Sequence, residues 1–186
     1  GGAPKWIFAV AIPILGALGT AFVVLSPYRL ARVTSFLNPE ADPLGKGHQA
    51  LQSLVAVGNG GFMGVGLGGG KQKLFFLPEA HTDFIYAVIA EETGHIGTVA
   101  ILALFIAILW RGYRIARRVG DGYLKLCAMG FVLLLVVQAL MNMSVVLSIA
   151  PNKGIPLPFI SYGGTSLMAS LATLGLLLAV SKEAGE

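Results

Sequence analysis

Four stretches of the chain run almost without charge, separated by two turn-rich segments and one short basic one. Residues 6–25 are apolar, with Pro13, Gly16 and Gly19 inside. Residues 84–110 are apolar except for Glu91, Glu92 and His95 in the first half. Residues 126–149 carry no charge but include Gln138 and Asn142, and residues 162–180 are again uncharged. About 20 predominantly apolar residues suffice for a helix to cross the hydrocarbon core of a bilayer, so each stretch is predicted to span a membrane. Interior Gly and Pro are tolerated there because neighbouring helices satisfy the freed backbone groups. The expected fold is an all-α polytopic membrane protein with four transmembrane helices and a long external loop.

Composition agrees with this pattern. Charged residues make up 12% of the 186 positions, against about 25% in soluble domains. Apolar residues make up 55% with glycine left out, and the mean hydropathy is +0.78. A single cysteine, Cys127, leaves no internal disulfide framework and no Cys-based zinc cluster. The net charge of +4 is small and scattered, which argues against a nucleic-acid partner. Orientation follows the basic residues. The segment 111–125 holds Arg111, Arg114, Arg117, Arg118 and Lys125 against Asp121, and short basic loops stay cytoplasmic. The segments 26–83 and 150–161 are then external, and both termini, with Lys5 and Lys182, lie inside. The chain opens Gly1-Gly2-Ala3 without an initiator Met and reads as a fragment or processed piece.

The external segment 26–83 is longer than a connector needs, and such loops tend to be functional. It opens on Ser26-Pro27-Tyr28-Arg29 and passes through a turn-rich stretch at 38–43. Residues 48–57 then form an amphipathic pattern, with Leu51, Leu54 and Val55 on one face and Gln49, Gln52 and Ser53 on the other. This helix either lies in the membrane interface or packs on the protein's own surface. The run 58–70 is mostly glycine, and 64–69 matches G-x-G-x-x-G. No strand, helix and acidic residue frame that match, and Lys71 is followed by Gln72, so neither a dinucleotide nor a P-loop site is expected. A loop whose backbone packs closely on backbone or substrate is the better reading.

Candidate chemistry collects at the two external segments. Asp83 ends the string Leu77-Pro78-Glu79-Ala80-His81-Thr82-Asp83. Two roles stand open for it: a helix cap shared with Thr82, or a carboxylate base at the outer membrane surface. Glu91 lies two turns deeper and about 80° around the helix from Asp83, so the two can share a cavity; Glu92 falls on the opposite face. Ionisable groups at that depth pair or line wet cavities. His81 and His95 have no metal-binding spacing. Residues 151–166 read PNKGIPLPFISYGGTS, a stiff segment tolerated at membrane depth only where protein or water satisfies it. Lys153 is its lone charge, either snorkelling to the interface or facing an anionic substrate. Ser161 and the glycines after it open the last helix, for close packing or for meeting an anion.

The stretches SPYRLARVTSFLNPEADPLGKGHQALQSLVAVGNGGFMGVGLGGGKQKLFFLPEAHTDFIYAVIAEETG and PNKGIPLPFISYGGTS resemble the SEDS family (shape, elongation, division and sporulation). The likeness is closer to its FtsW branch and the sporulation relative SpoVE than to RodA. Family members typically have ten spans, and these four resemble the last four. The resemblance implies a peptidoglycan glycosyltransferase of the bacterial cytoplasmic membrane. It would polymerise lipid II onto undecaprenyl-pyrophosphate-linked glycan during cell division, beside a class B penicillin-binding protein and other divisome membrane proteins. It also implies Asp83 as the catalytic carboxylate and Lys153 as a substrate-binding cation, with His81, Lys73, Glu91 and Ser161 as further substrate-binding residues. It leaves the cofactor open, a divalent cation included. The chemistry needs a base for the acceptor 4-hydroxyl and cations for a pyrophosphate leaving group; Lys71, Lys73, Arg29 and Arg32 are further cations in reach. A lipid II transporter, with Glu91, Gln138 and Asn142 lining a path, and a non-catalytic scaffold for the transpeptidase are the alternatives.

Overall fold

The computed structural model describes residues 4–27, 30, 34, 36, 48–71, 81–151 and 153–185. Among them every regular element is a helix: α1 (Lys5–Val24), α2 (His48–Gly60), α3 (Ile85–Arg118), α4 (Gly122–Val146) and α5 (Gly164–Glu183). The chain divides into two compact units, Gly1–His48 and Gln49–Glu186. In the first, α1 is apolar around its circumference and leaves Trp6, Leu15 and Phe22 exposed. That is the pattern of a helix meant for an apolar surrounding.

The second unit is built on α4. A three-residue link, Val119 to Asp121, joins α3 to α4, which makes them antiparallel neighbours. Asp121 caps α4 by accepting from the Tyr123 N–H at 2.8 Å. Nearer the link, Ile115, Ala116, Ala128, Val132 and Val136 pack with Leu177 and Val180 of α5. Toward the other end, Ala56 of α2, Phe84, Phe105, Ala139, Met143 and Leu157 form a second core. Leu104, Trp110, Leu134, Leu171 and Leu178 point outward and are exposed. Among the described residues three helices, α3, α4 and α5, are long and apolar enough to cross a membrane, and Ala9–Val24 is a shorter apolar helix.

One expectation about local structure needs correcting. The basic segment 111–125 is mostly helix, since α3 continues to Arg118 and α4 begins at Gly122. Hydropathy marks where lipid ends, and the helix does not stop there. Arg114 stacks over Trp110 at 5.5 Å and Arg117 over Tyr113 at 5.8 Å, four-residue pairs that support the extra turns. The amphipathic helix packs on the protein through its small residues. Ser53, Ala56 and Gly60 are buried, while Leu54 and Val55 are 40% and 45% exposed. Small residues let α2 come close enough for Ser53 Oγ to donate to the Val146 carbonyl at 3.0 Å. The helix therefore packs on the protein through its small face and turns leucine and valine outward.

Candidate functional site

The glycine-rich loop closes on a break in α3. Gly94 has φ 65° and ψ −158°, a region essentially reserved for glycine. The break frees helical partners, and the loop takes them up. Val65 N–H donates to the Glu91 carbonyl and Gly66 N–H to the Glu92 carbonyl, both at 3.0 Å, and His95 N–H donates to the Gly61 carbonyl at 3.0 Å. The His95 ring bonds the same carbonyl through Nδ1 and stacks on Phe62. Gly64, at φ 79°, lies with its Cα directly against the Glu92 carbonyl, and a Cβ at Gly94 would stand 2.5 Å from Gly64 N. This is the close backbone approach that the glycine content predicts.

Glu91 belongs to this assembly. It is 2% exposed, and its Oε1 accepts the Lys71 N–H at 3.1 Å. Its carboxylate therefore holds the end of the glycine loop. Loop closure brings this donor directly to Glu91.

Asp83 sits elsewhere, where the 151–163 segment docks. Its Oδ2 lies 2.9 Å from the place a Cβ would take on Gly154, so the carboxylate packs on that glycine's bare backbone. Lys153, one residue earlier, is exposed. The N-cap position of α3 belongs to Phe84, so Asp83 does not occupy it. Around the carboxylate, Ser161 Oγ donates to the Thr82 carbonyl at 2.5 Å and accepts the Leu157 N–H at 2.7 Å. Tyr162 N–H donates to the His81 carbonyl at 2.9 Å. From α4, Asn142 Nδ2 donates to the carbonyls of Asp83 and Ile155, both at 2.7 Å, and Gln138 Nε2 donates to the Pro156 carbonyl at 2.9 Å. A cavity of about 660 Å³ opens beside this junction, lined by His81, Ile85, Phe159, Ser161, Tyr162 and Gly164 among others.

The structure thus brings Asp83, His81, Ser161 and the Lys153–Gly154 backbone to one junction and puts Glu91 in another. Lys73, Arg29, Arg32, Pro78 and the 38–43 stretch lie outside the described residues. The Lys71 side chain is exposed. Among the described residues no group of three His, Cys, Asp or Glu side chains is close enough to hold a metal ion. Asn142 and Gln138, which the transporter alternative would set along a path, hold loop carbonyls. Their four-residue spacing on an otherwise apolar span was the available signal.

Residues 1–186 match the FTSW_RODA_SPOVE family, described as "Cell cycle protein". The chain is 49% identical over 174 residues to stage V sporulation protein E of Bacillus subtilis, covering 93% of this chain and 48% of that protein. It is 47% identical over 184 residues to a probable peptidoglycan glycosyltransferase FtsW of Trichlorobacter lovleyi, with 94% and 48% covered. A chain in a solved peptidoglycan synthase complex, studied for its coordination of polymerization and crosslinking, superposes with a TM-score of 0.70 at 33% identity, covering 97% of this chain and 48% of that one. The chain spans about half the length of the curated relatives it matches.

Proposed function

The chain belongs to the FtsW/RodA/SpoVE family of cell cycle proteins, and from that premise we propose that it is the catalytic C-terminal part of a peptidoglycan glycosyltransferase. The observation that carries this reading is the packing of the Asp83 carboxylate on Gly154, the residue after Lys153, at a junction whose His81 and Ser161 line a cavity of about 660 Å³. In the proposed reaction Asp83 takes the proton of the acceptor sugar's 4-hydroxyl as that oxygen attacks the donor's anomeric carbon. The bond to undecaprenyl pyrophosphate breaks, and Lys153 stabilises the negative charge on the leaving pyrophosphate. Lipid II is the proposed substrate, and a class B penicillin-binding protein the proposed partner, in keeping with the coupled polymerization and crosslinking of the related complex.

Membrane depth supports this arrangement. α3 breaks at Gly94, and the stretch from His95 to Arg118 extends about 36 Å at 1.5 Å per residue, enough to cross a hydrocarbon core of about 30 Å. With Trp110 and the arginines after it at the cytoplasmic interface, the Gly94 break and its loop lie toward the outer boundary. Asp83 precedes the break in the chain, in reach of a sugar whose lipid tail stays in the bilayer. Intramolecular bonds engage Glu91, Gln138 and Asn142, which supports a structural role for those side chains in this reading.

Asp83→Asn in the full-length protein with its transpeptidase partner tests the proposal. It keeps side-chain size and removes the base, so lipid II polymerisation should fall about 10²- to 10⁴-fold with expression and partner binding retained. Near-parental polymerisation would leave Asp83 with a structural role only.

A further inference from the structure

Asn142 is 1% exposed on the central helix α4. Both N–H bonds of its amide are spent on backbone carbonyls of two different segments, Asp83 at 2.7 Å and Ile155 at 2.7 Å. Its Oδ1 is buried without a hydrogen-bond partner. An amide turned the other way would set Oδ1 against two carbonyl oxygens, so the partners themselves select the orientation. The helix therefore places here a side chain of which only the donor half is used, and both donors are used at once.

We propose that Asn142 is a positioning residue for glycan polymerisation: a double donor that ties the backbone of Asp83 to the backbone of the loop carrying Lys153 and Gly154. The inference rests on the reading of Asp83 as the base. The requirement follows from the chemistry of side chains. Serine and threonine offer one donor, an ionised aspartate offers none, and glutamine is one methylene longer. Gln138, one turn away on the same face, makes a single bond to the Pro156 carbonyl and does not bond Asp83. Asn142 alone among the described side chains is hydrogen-bonded to both Asp83 and the 153–156 backbone. Asp83 Oδ2 also packs on Gly154, so loosening the tie shifts the carboxylate relative to the loop that carries Lys153.

The test uses full-length protein with its partner in lipid nanodiscs, comparing Asn142→Asp and Asn142→Ser with the parent and with Asp83→Asn. Misplacing a catalytic group by about 1 Å costs about 10²-fold. Asn142→Asp should therefore lose kcat on that scale while KM for lipid II stays near the parent value, and Asn142→Ser, with one donor left, should fall between. Hydrogen exchange should accelerate at the Leu157, Ser161 and Tyr162 amides in Asn142→Asp, because the docked loop protects them. Parental kcat in both variants overturns the inference, and so does a loss of kcat with exchange unchanged. Should Asn142→Asp fail to accumulate, Asn142→Ser decides by the same two readouts. Full activity in Asp83→Asn would overturn the base reading, and faster exchange in Asn142→Asp would still report the tie, so the two failures stay distinct.

Discussion

Two irregular segments dock on α3 and α4, and they dock by different means. The glycine loop at 61–71 is held chiefly backbone to backbone, by Val65 and Gly66 on the carbonyls of Glu91 and Glu92 and by His95 on Gly61. The proline-rich segment at 151–163 is held largely by side chains, Asn142 and Gln138 from α4 and its own Ser161. The first arrangement needs bare backbone at Gly64 and Gly94, where a Cβ would meet backbone within 2.5 Å. The second spans the gap with amides and a hydroxyl, whose length and donor count can be varied one at a time. Rigid closure therefore belongs to the glycine loop, and adjustable placement belongs to the segment that meets Asp83.

This contrast can be broken most sharply at Gly94. Gly94→Ala puts a side chain into a glycine-only conformation that costs about 1–3 kcal/mol by itself, and the added Cβ meets the Gly64 and Phe62 backbones at 2.5 Å. The expected outcome is a large drop in melting temperature, or loss of folded protein, in a detergent unfolding assay. An unchanged melting temperature would show that the loop does not close on the break as described.

Gly154→Ala is the matched change on the other segment. There the new Cβ would stand 2.9 Å from a carboxylate oxygen, with no backbone in the way. Asp83 can turn aside, so the fold should survive with a melting temperature close to the parent. Polymerisation of lipid II should nevertheless fall, by up to about 10²-fold for a displacement of 1 Å. A variant that melts early but polymerises normally per folded molecule would reverse the assignment of the two segments.

The smallest effect is expected at Gln138. Gln138→Leu removes one hydrogen bond of a half-buried side chain, worth about 0.5–1.5 kcal/mol. Thermal unfolding should shift slightly downward, and amide exchange near Pro156 should rise modestly. An effect as large as that of Asn142→Asp would mean that the whole row of amides positions Asp83, and not the double donor alone.

Much of this architecture could be read from the chain. The apolar stretches 84–110, 126–149 and 162–180 correspond to α3, α4 and α5 within a few residues at most boundaries, because burial in an apolar medium acts on composition over about 20 positions. The end of α3 was misplaced by eight residues, from 110 to Arg118, because arginines stacked on aromatic rings extend a helix past the apolar limit. The amphipathic pattern of α2 was legible, but the face that packs on the protein was not: Ser53, Ala56 and Gly60 are buried while Leu54 and Val55 are exposed.

The motifs around Asp83, Lys153 and Ser161 were legible as sequence, and so was the demand of the glycine run for close approach. Which partner each residue meets was not. Glu91 lies on α3 and Asp83 just before it, and the loop that returns to residue 71 gives Glu91 a donor of its own. Asn142 and Asp83 are 59 residues apart and meet at 2.7 Å. Local patterning determines helices and their apolar faces because it acts between neighbours three and four residues apart. The pairing of buried donors with distant carbonyls is decided only when the helices pack, since buried donors must then find acceptors among the groups that packing brings within reach.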